Sequence, residues 1–245
     1  MKGKLTFTSL VLILLLPSLT GCGVLPEPIE KTPSEIAVDI VEQYHETHVY
    51  SEYDFFVCSD MALDVWDMLK AQEIDALIQI GNVETGAENI TEADHAWVLA
   101  EVSPGEYLAL ETTGGYAVWG DSLYYQGWSF DNPREYKRFV ELRQEYNIRV
   151  IMIEQLAIKA QETYEAHEKE YDYYQELINE YNRRYEGRSA SSLNCLEAME
   201  FRDEIDVQLA SLKEKEGRYN ELIELINEQQ HELENIVSEM KGLTG

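Results

Sequence analysis

Apolar residues at Ile36, Ala37, Ile40, Val41 and Tyr44 recur at steps of three and four, which predicts a helix capped by Ser34 with one buried face. Met61, Ala62, Val65, Trp66 and Leu69 repeat that pattern and predict a second helix over 58–71. Asp60 and Asp64 fall in its first turns, where carboxylates suit the helix dipole. Residues 76–81 form a short apolar run and read as a buried strand, followed by a polar excursion through Thr85, Gly86 and Asn89. Residues 95–102 and 106–111 then read as two strands joined by a three-residue loop of Ser103, Pro104 and Gly105, with Gly105 at the left-handed position. Gly114, Gly115 and Gly120, interleaved with Trp119, Tyr124, Tyr125 and Trp128, predict further turns and strand closing the sheet. Their aromatic rings read as core or cleft wall, and Asn132-Pro133 ends this region.

Beyond Pro133 the period lengthens. Tyr146, Val150, Ile153, Ala157, Ala160, Tyr164, His167, Tyr171, Tyr174, Ile178, Tyr181 and Tyr185 alternate steps of four and three, a heptad seam. After a break over 187–192, Ile205, Leu209, Leu212, Glu216, Tyr219, Ile223, Ile226, Gln230, Leu233, Val237 and Met240 form a second seam. An antiparallel coiled-coil hairpin is the simplest arrangement, and a parallel dimer also satisfies the pattern. The expected fold class is therefore α+β, with a helix packed on an antiparallel sheet over 34–132 and a helical hairpin over 133–245.

The start of the chain changes where this fold is expected to work. Lys2 and Lys4 precede an apolar run over 5–19 that is too short for a confident membrane span, and Leu19-Thr20-Gly21-Cys22 follows. These four residues resemble the lipobox of prokaryotic lipoproteins, in which the cysteine is acylated and becomes the first mature residue. The resemblance implies a signal peptide over 1–21, a lipid anchor at Cys22, and a tether over 22–33 carrying Pro26, Pro28 and Pro33, on the extracytoplasmic face of the cell membrane. An uncleaved signal anchor is the competing reading, and it leaves the chain on the same side.

A formal charge of −28 excludes nucleic acid as an expected partner, while 44% hydrophobic residues exclude a disordered chain. The acid is concentrated on the globular half: from 23 to 133 there are 22 Asp and Glu against Lys31 and Lys70, whereas 134–245 carry 25 against 15 basic residues. Such a field attracts cationic partners, lysine side chains or polyamines, although a solvated acid-rich surface is the first reading of it, ahead of a steering role.

Three cysteines are too few for a disulfide framework, so a free thiol is expected. Cys58 starts the second helix, where exposed N–H groups favour a thiolate and one of them faces an oxyanion. His95 opens one strand and Glu111 ends the next. For these two to share a face, their even separation needs an odd number of residues in the connection. Trp97 then opposes Glu111, with His95 its diagonal neighbour. His45 and His48 have a spacing that suits a metal, but no third ligand follows, so no metal or cofactor is expected. His167 on the seam and Cys195 near the second long helix read as structural.

The stretch from about 34 to 130 resembles the transglutaminase-like superfamily of papain-fold proteins. Cys58, Asp60 and Ala62 match its Gly-x-Cys-x-Asp-x-Ala helix start, His95-Ala96-Trp97 its histidine strand, and Glu111-Thr112-Thr113 stands where the family has Asp-Pro-Thr. The chain departs from the pattern at Phe56, in place of glycine, which is expected to narrow the approach to the thiol. It departs also at Glu111, one methylene longer than aspartate, which asks for a compensating backbone shift. The resemblance implies a Cys58, His95, Glu111 triad that cleaves a protein or peptide amide through an acyl thioester, passed to water or to a primary amine. A non-catalytic binding module with a coiled-coil arm that binds a protein or self-associates is the competing reading. A structural spacer accounts for the hairpin but leaves the triad unexplained.

Overall fold

The computed structural model describes residues 30–48, 56–120, 122–188 and 195–244. The lipobox with Cys22, tether residues 23–29, the expected narrowing by Phe56's side chain and most of the break between the long helices lie outside the described residues. Among the described residues no helix is long and apolar enough to cross a membrane.

The fold is α+β. Helix α1 (Pro33–Thr47) and helix α2 (Phe56–Ala71) cover a five-stranded antiparallel sheet of β1 (Ala76–Gly81), β2 (His95–Ser103), β3 (Glu106–Glu111), β4 (Tyr116–Val118) and β5 (Trp128–Phe130), ordered β4-β3-β2-β1-β5. Two long helices follow, α3 (Pro133–Tyr185) and α4 (Cys195–Gly242). Residues 32–245 hold together as one unit.

Thr32, not Ser34, caps α1. Pro33 takes the first helical position, where a missing N–H does no harm, and Glu35 closes a reciprocal capping box with Thr32. Tyr44 donates its hydroxyl to Asp64 at 2.7 Å, tying α1 to α2, and Trp66 Nε1–H reaches the Ala76 carbonyl at 2.8 Å. Met61, Ala62, Val65 and Leu69 of α2 meet one face of the sheet, built from Ile78, Ile80, Ala96, Val98, Ala100, Leu108 and Leu110. Alternation sends Trp97, Leu99 and Ala109 to the other face, under Tyr124 and Tyr125.

The hairpin keeps the expected register by a different device. Val98 pairs with Leu110 and Leu99 with Ala109, but Ser103 pairs with Glu106, leaving a two-residue turn of Pro104 and Gly105. Proline first and a glycine at φ 77° second fit a type II turn. The odd residue is Val102, bulged between Glu101 and Ser103, and Glu101 accepts from the Gly105 N–H at 2.6 Å.

The long helices run antiparallel, as cross-links at successive levels require: Arg138 Nε to Glu239 at 2.8 Å, Arg149 Nη1 to Gln229 at 2.7 Å and Tyr173 to Glu204 at 3.2 Å. On α3 nine of the twelve expected seam positions are covered, Val150, His167, Ile178, Tyr181 and Tyr185 among them. Tyr146, Ile153, Ala160 and Tyr174 are covered too, but Ala157, Tyr164 and Tyr171 are exposed, and Leu156, Thr163, Glu170 and Leu177 turn inward instead. On α4, Glu216 and Gln230 are likewise exposed in favour of Lys215 and Gln229. Polar pairs decide these turns: Glu170 with Lys215, and Arg149 with Gln229, each need the facing positions to meet. Pro133 opens α3 as expected, yet its first turns belong to the core, where Tyr136, Phe139 and Leu142 are buried with Ile236 and Met240 of α4.

β5 is held by an unusually close approach at Gly127, whose φ is 112° and where a Cβ would lie 2.0 Å from the Ile80 carbonyl oxygen. Gly127→Ala is expected to destabilise the protein by about 2 to 4 kcal/mol through strain and loss of the β1–β5 pairing. Urea unfolding followed by circular dichroism measures this; a change within about 0.5 kcal/mol would refute it.

Candidate active site

Three elements deliver the site. Packing of α2 on the sheet places Cys58 in the helix's first turn, 8% exposed, against the start of β2. Pairing of Gly81 with His95 brings β2's first residue beside β1's last. Gly81 also makes room for Trp97, since a Cβ there would stand 2.9 Å from the indole. Trp97 in turn stacks on the His95 ring at 5.8 Å between centroids and donates Nε1–H to the Tyr124 carbonyl at 2.8 Å. Continuing the β2–β3 register by one pair sets Glu111 opposite Trp97 and His95 on its diagonal.

That diagonal is occupied as the register demands. His95 Nε2–H donates to Glu111 Oε2 at 2.7 Å, and His95 is hydrogen-bonded to Cys58. With Nε2 engaged by the carboxylate, Nδ1 is the ring nitrogen left for the thiol. The longer reach of glutamate is absorbed by a ring of donors. Tyr124 donates its hydroxyl to Oε2 at 2.9 Å, while the Thr113 N–H donates to Oε1 at 3.0 Å and the Thr113 hydroxyl bonds the same oxygen. The Gly115 N–H closes the turn onto the Glu111 carbonyl at 2.8 Å. Glu111 itself is 3% exposed.

Burial works against charge on both members of the pair, and the hydrogen bonds outweigh it. His95 is desolvated, yet its bonds to Cys58 and Glu111 push the imidazole up to about 10. Glu111 is desolvated as well, and His95, Thr113 and Tyr124 hold its carboxyl down at about 2. At neutral pH the site therefore carries an imidazolium facing a carboxylate.

A narrow cleft of about 40 Å³ opens beside Cys58 and His95, walled by Ile80 and Ala96 on one side and by α3 on the other. From α3, Tyr136 is hydrogen-bonded to Ser59, next to Cys58, and burial raises its hydroxyl well above the ordinary tyrosine range. Arg143 Nη1 donates to the carbonyls of Ile90 and Ala93, just ahead of His95. Burial lowers its guanidinium from the usual value.

The three expected triad residues are thus neighbours, and sequence reasoning missed what supports them. Thr113 was visible as the residue two after Glu111, and Tyr124 as one ring of an aromatic group read as core or wall. Tyr136 and Arg143 lay beyond the proline taken as a boundary. The remaining candidates go elsewhere: His45 lies against Gly115, His48 stacks on Tyr44 at 3.9 Å and bonds its carbonyl, and His167 stacks on Tyr171 of the same helix. Cys195 opens α4, and its side chain lies outside the described residues. No family model matches this chain, nor does any curated protein or solved structure.

The pair has a definite pH signature. The His95 contribution to stability is complete below its ordinary 6.5 and is lost as pH rises toward 10. The Glu111 contribution is complete above 4.5 and is lost as pH falls toward 2. The margin of the wild type over Glu111→Gln is therefore expected to be widest between about pH 4.5 and 6.5 and to narrow on either side. Thermal unfolding of both proteins at about pH 3, 5.5 and 9 reads this margin, and a flat difference would overturn the assignment.

Proposed function

We propose that this chain is a transglutaminase-like thiol enzyme with a papain-like core, acting on protein or peptide amide bonds through Cys58, His95 and Glu111. Its lipid anchor at Cys22 holds it to the cell membrane on the extracytoplasmic face, and its two long helices serve as a coiled-coil hairpin. The single observation that carries the reading is the His95 imidazole, bonded at one edge to a carboxylate and at the other to a thiol in the first turn of a helix.

In this reading the proton that Cys58 gives up rests on His95 Nδ1 as the imidazolium, and the sulfur attacks the amide carbonyl carbon. The Cys58 backbone N–H supports the oxyanion of the tetrahedral intermediate. The C–N bond breaks as His95 returns the proton to the leaving nitrogen, and an acyl thioester remains. Water or a primary amine, deprotonated by His95, then attacks the thioester, giving an acid or a new amide and restoring the thiol. Glu111 orients the imidazole throughout and steadies its charge while it holds the proton, with Thr113 and Tyr124 fixing the carboxylate. Acid concentrated around the sheet favours a cationic amine as the second acceptor.

Alkylation of Cys58 by iodoacetamide, followed in the full-length chain by peptide mass mapping, tests the coupling without a substrate. At about pH 6.5 His95→Ala is expected to slow it about tenfold or more, and Glu111→Gln to slow it less, with circular dichroism unchanged. A rate indifferent to His95 would sink the catalytic reading.

A further inference from the structure

Apolar side chains exposed on a solvated helix are ordinarily scattered singly. On α3 they are grouped: Ile148, Ile151, Met152 and Ile158 are 61, 54, 43 and 62% exposed. Steps of three and four place them on one stripe, and the same steps lead back through Asn147 and Gln144 to Val140. Val140, Gln144 and Asn147 line the cleft beside Cys58. Positions that face α4, among them Leu142, Arg149, Leu156 and Ala160, fall about half a turn away, so α4 leaves the stripe bare. One face of a single helix therefore begins as the wall of the cleft and continues from Ile148 to Ile158, about 15 Å, as a largely apolar surface broken at Gln155.

The inner end of that face suits a polypeptide main chain. Gln144 and Asn147, one turn apart, have no hydrogen-bond partner among the described residues, and each carboxamide offers a donor and an acceptor. Arg143 fixes the helix at this level by holding the Ile90 and Ala93 carbonyls.

We propose that the stripe of Ile148, Ile151, Met152 and Ile158 is a docking strip for a polypeptide substrate, an unfolded segment with apolar side chains that lies along α3 and is led past Gln144 and Asn147 to Cys58. This rests on the thiol-enzyme reading of the cleft and narrows its protein or peptide substrate to an unfolded segment with apolar side chains. Continuity with the cleft favours a substrate over a second copy of the chain, and a formal charge of −28 opposes self-association.

The test compares the full-length protein with the triple variant Ile148→Gln, Ile151→Gln, Ile158→Gln, which removes apolar surface at exposed positions without changing charge. The probe is reduced, carboxamidomethylated lysozyme, an unfolded polypeptide with no free thiol, in about 0.3 M salt to screen its charge. The readout is the iodoacetamide alkylation rate of Cys58 with increasing probe. The probe is expected to protect Cys58 in the wild type, and the half-protecting concentration to rise about tenfold in the triple variant, while the rates without probe agree. Absence of protection, or equal protection in both proteins, overturns the proposal. So does sedimentation showing a wild-type dimer that the triple variant abolishes, which would assign the stripe to a second copy. If His95→Ala leaves alkylation unchanged while the probe still protects, the catalytic reading falls and the docking strip stands.

Discussion

A carboxylate kept charged at 3% exposure is the constraint on which this site depends. Such a group is costly to desolvate unless its oxygens are taken up by donors, and leaving even one partner out costs about 3 kcal/mol or more. Glu111 has its donors from three directions: the imidazole of the neighbouring strand, the turn that follows it, and a tyrosine from the segment between β4 and β5. The register of the hairpin, the tight turn after β3 and the placement of Tyr124 are therefore parts of one solution. The imidazole is held charged by that solution and is hydrogen-bonded to Cys58.

Much of this was legible because period and parity are stiff constraints. Residues 76–81 and 106–111 form strands with the expected limits, and an even spacing of 16 between His95 and Glu111 did require an odd connection. What parity does not reveal is where the odd residue sits, and a Pro-Gly turn, being complete with two residues, moved it to Val102. The cap of α1 escaped for a similar local reason, since Thr32 and Glu35 satisfy each other across Pro33 and leave Ser34 no role as a cap. The heptad reading failed on α3 at Ala157, Tyr164 and Tyr171, which stay exposed although Tyr164 still touches Tyr219, while Glu170 meets Lys215. Tyr124 and Arg143 could not be assigned at all, because their roles depend on contacts 13 and 50 residues distant that no local pattern encodes.

The long helices are not an appendage to the sheet. Tyr136, Phe139 and Leu142 share the main core with Met240, so the beginning of α3 and the end of α4 are buried together against the same elements that hold Cys58. Truncating a buried leucine at such a place costs about 2 to 5 kcal/mol. The globular half and the base of the helical pair therefore stand or fall as a unit.

An unbroken α3 also limits how the chain can change its length. Beyond Ile158 the helix has α4 as its partner, and residues can be gained or lost there in matched sevens, about two turns at a time, with the facing positions preserved. Between Val140 and Ile158 that freedom is gone. A single inserted residue would rotate everything beyond it by about 100° and carry the exposed isoleucines off the side on which the cleft opens. Length variants of this protein should accordingly differ at the far end of the arm, where α3 ends at Tyr185 and α4 begins at Cys195, and keep the first seven turns of α3 intact.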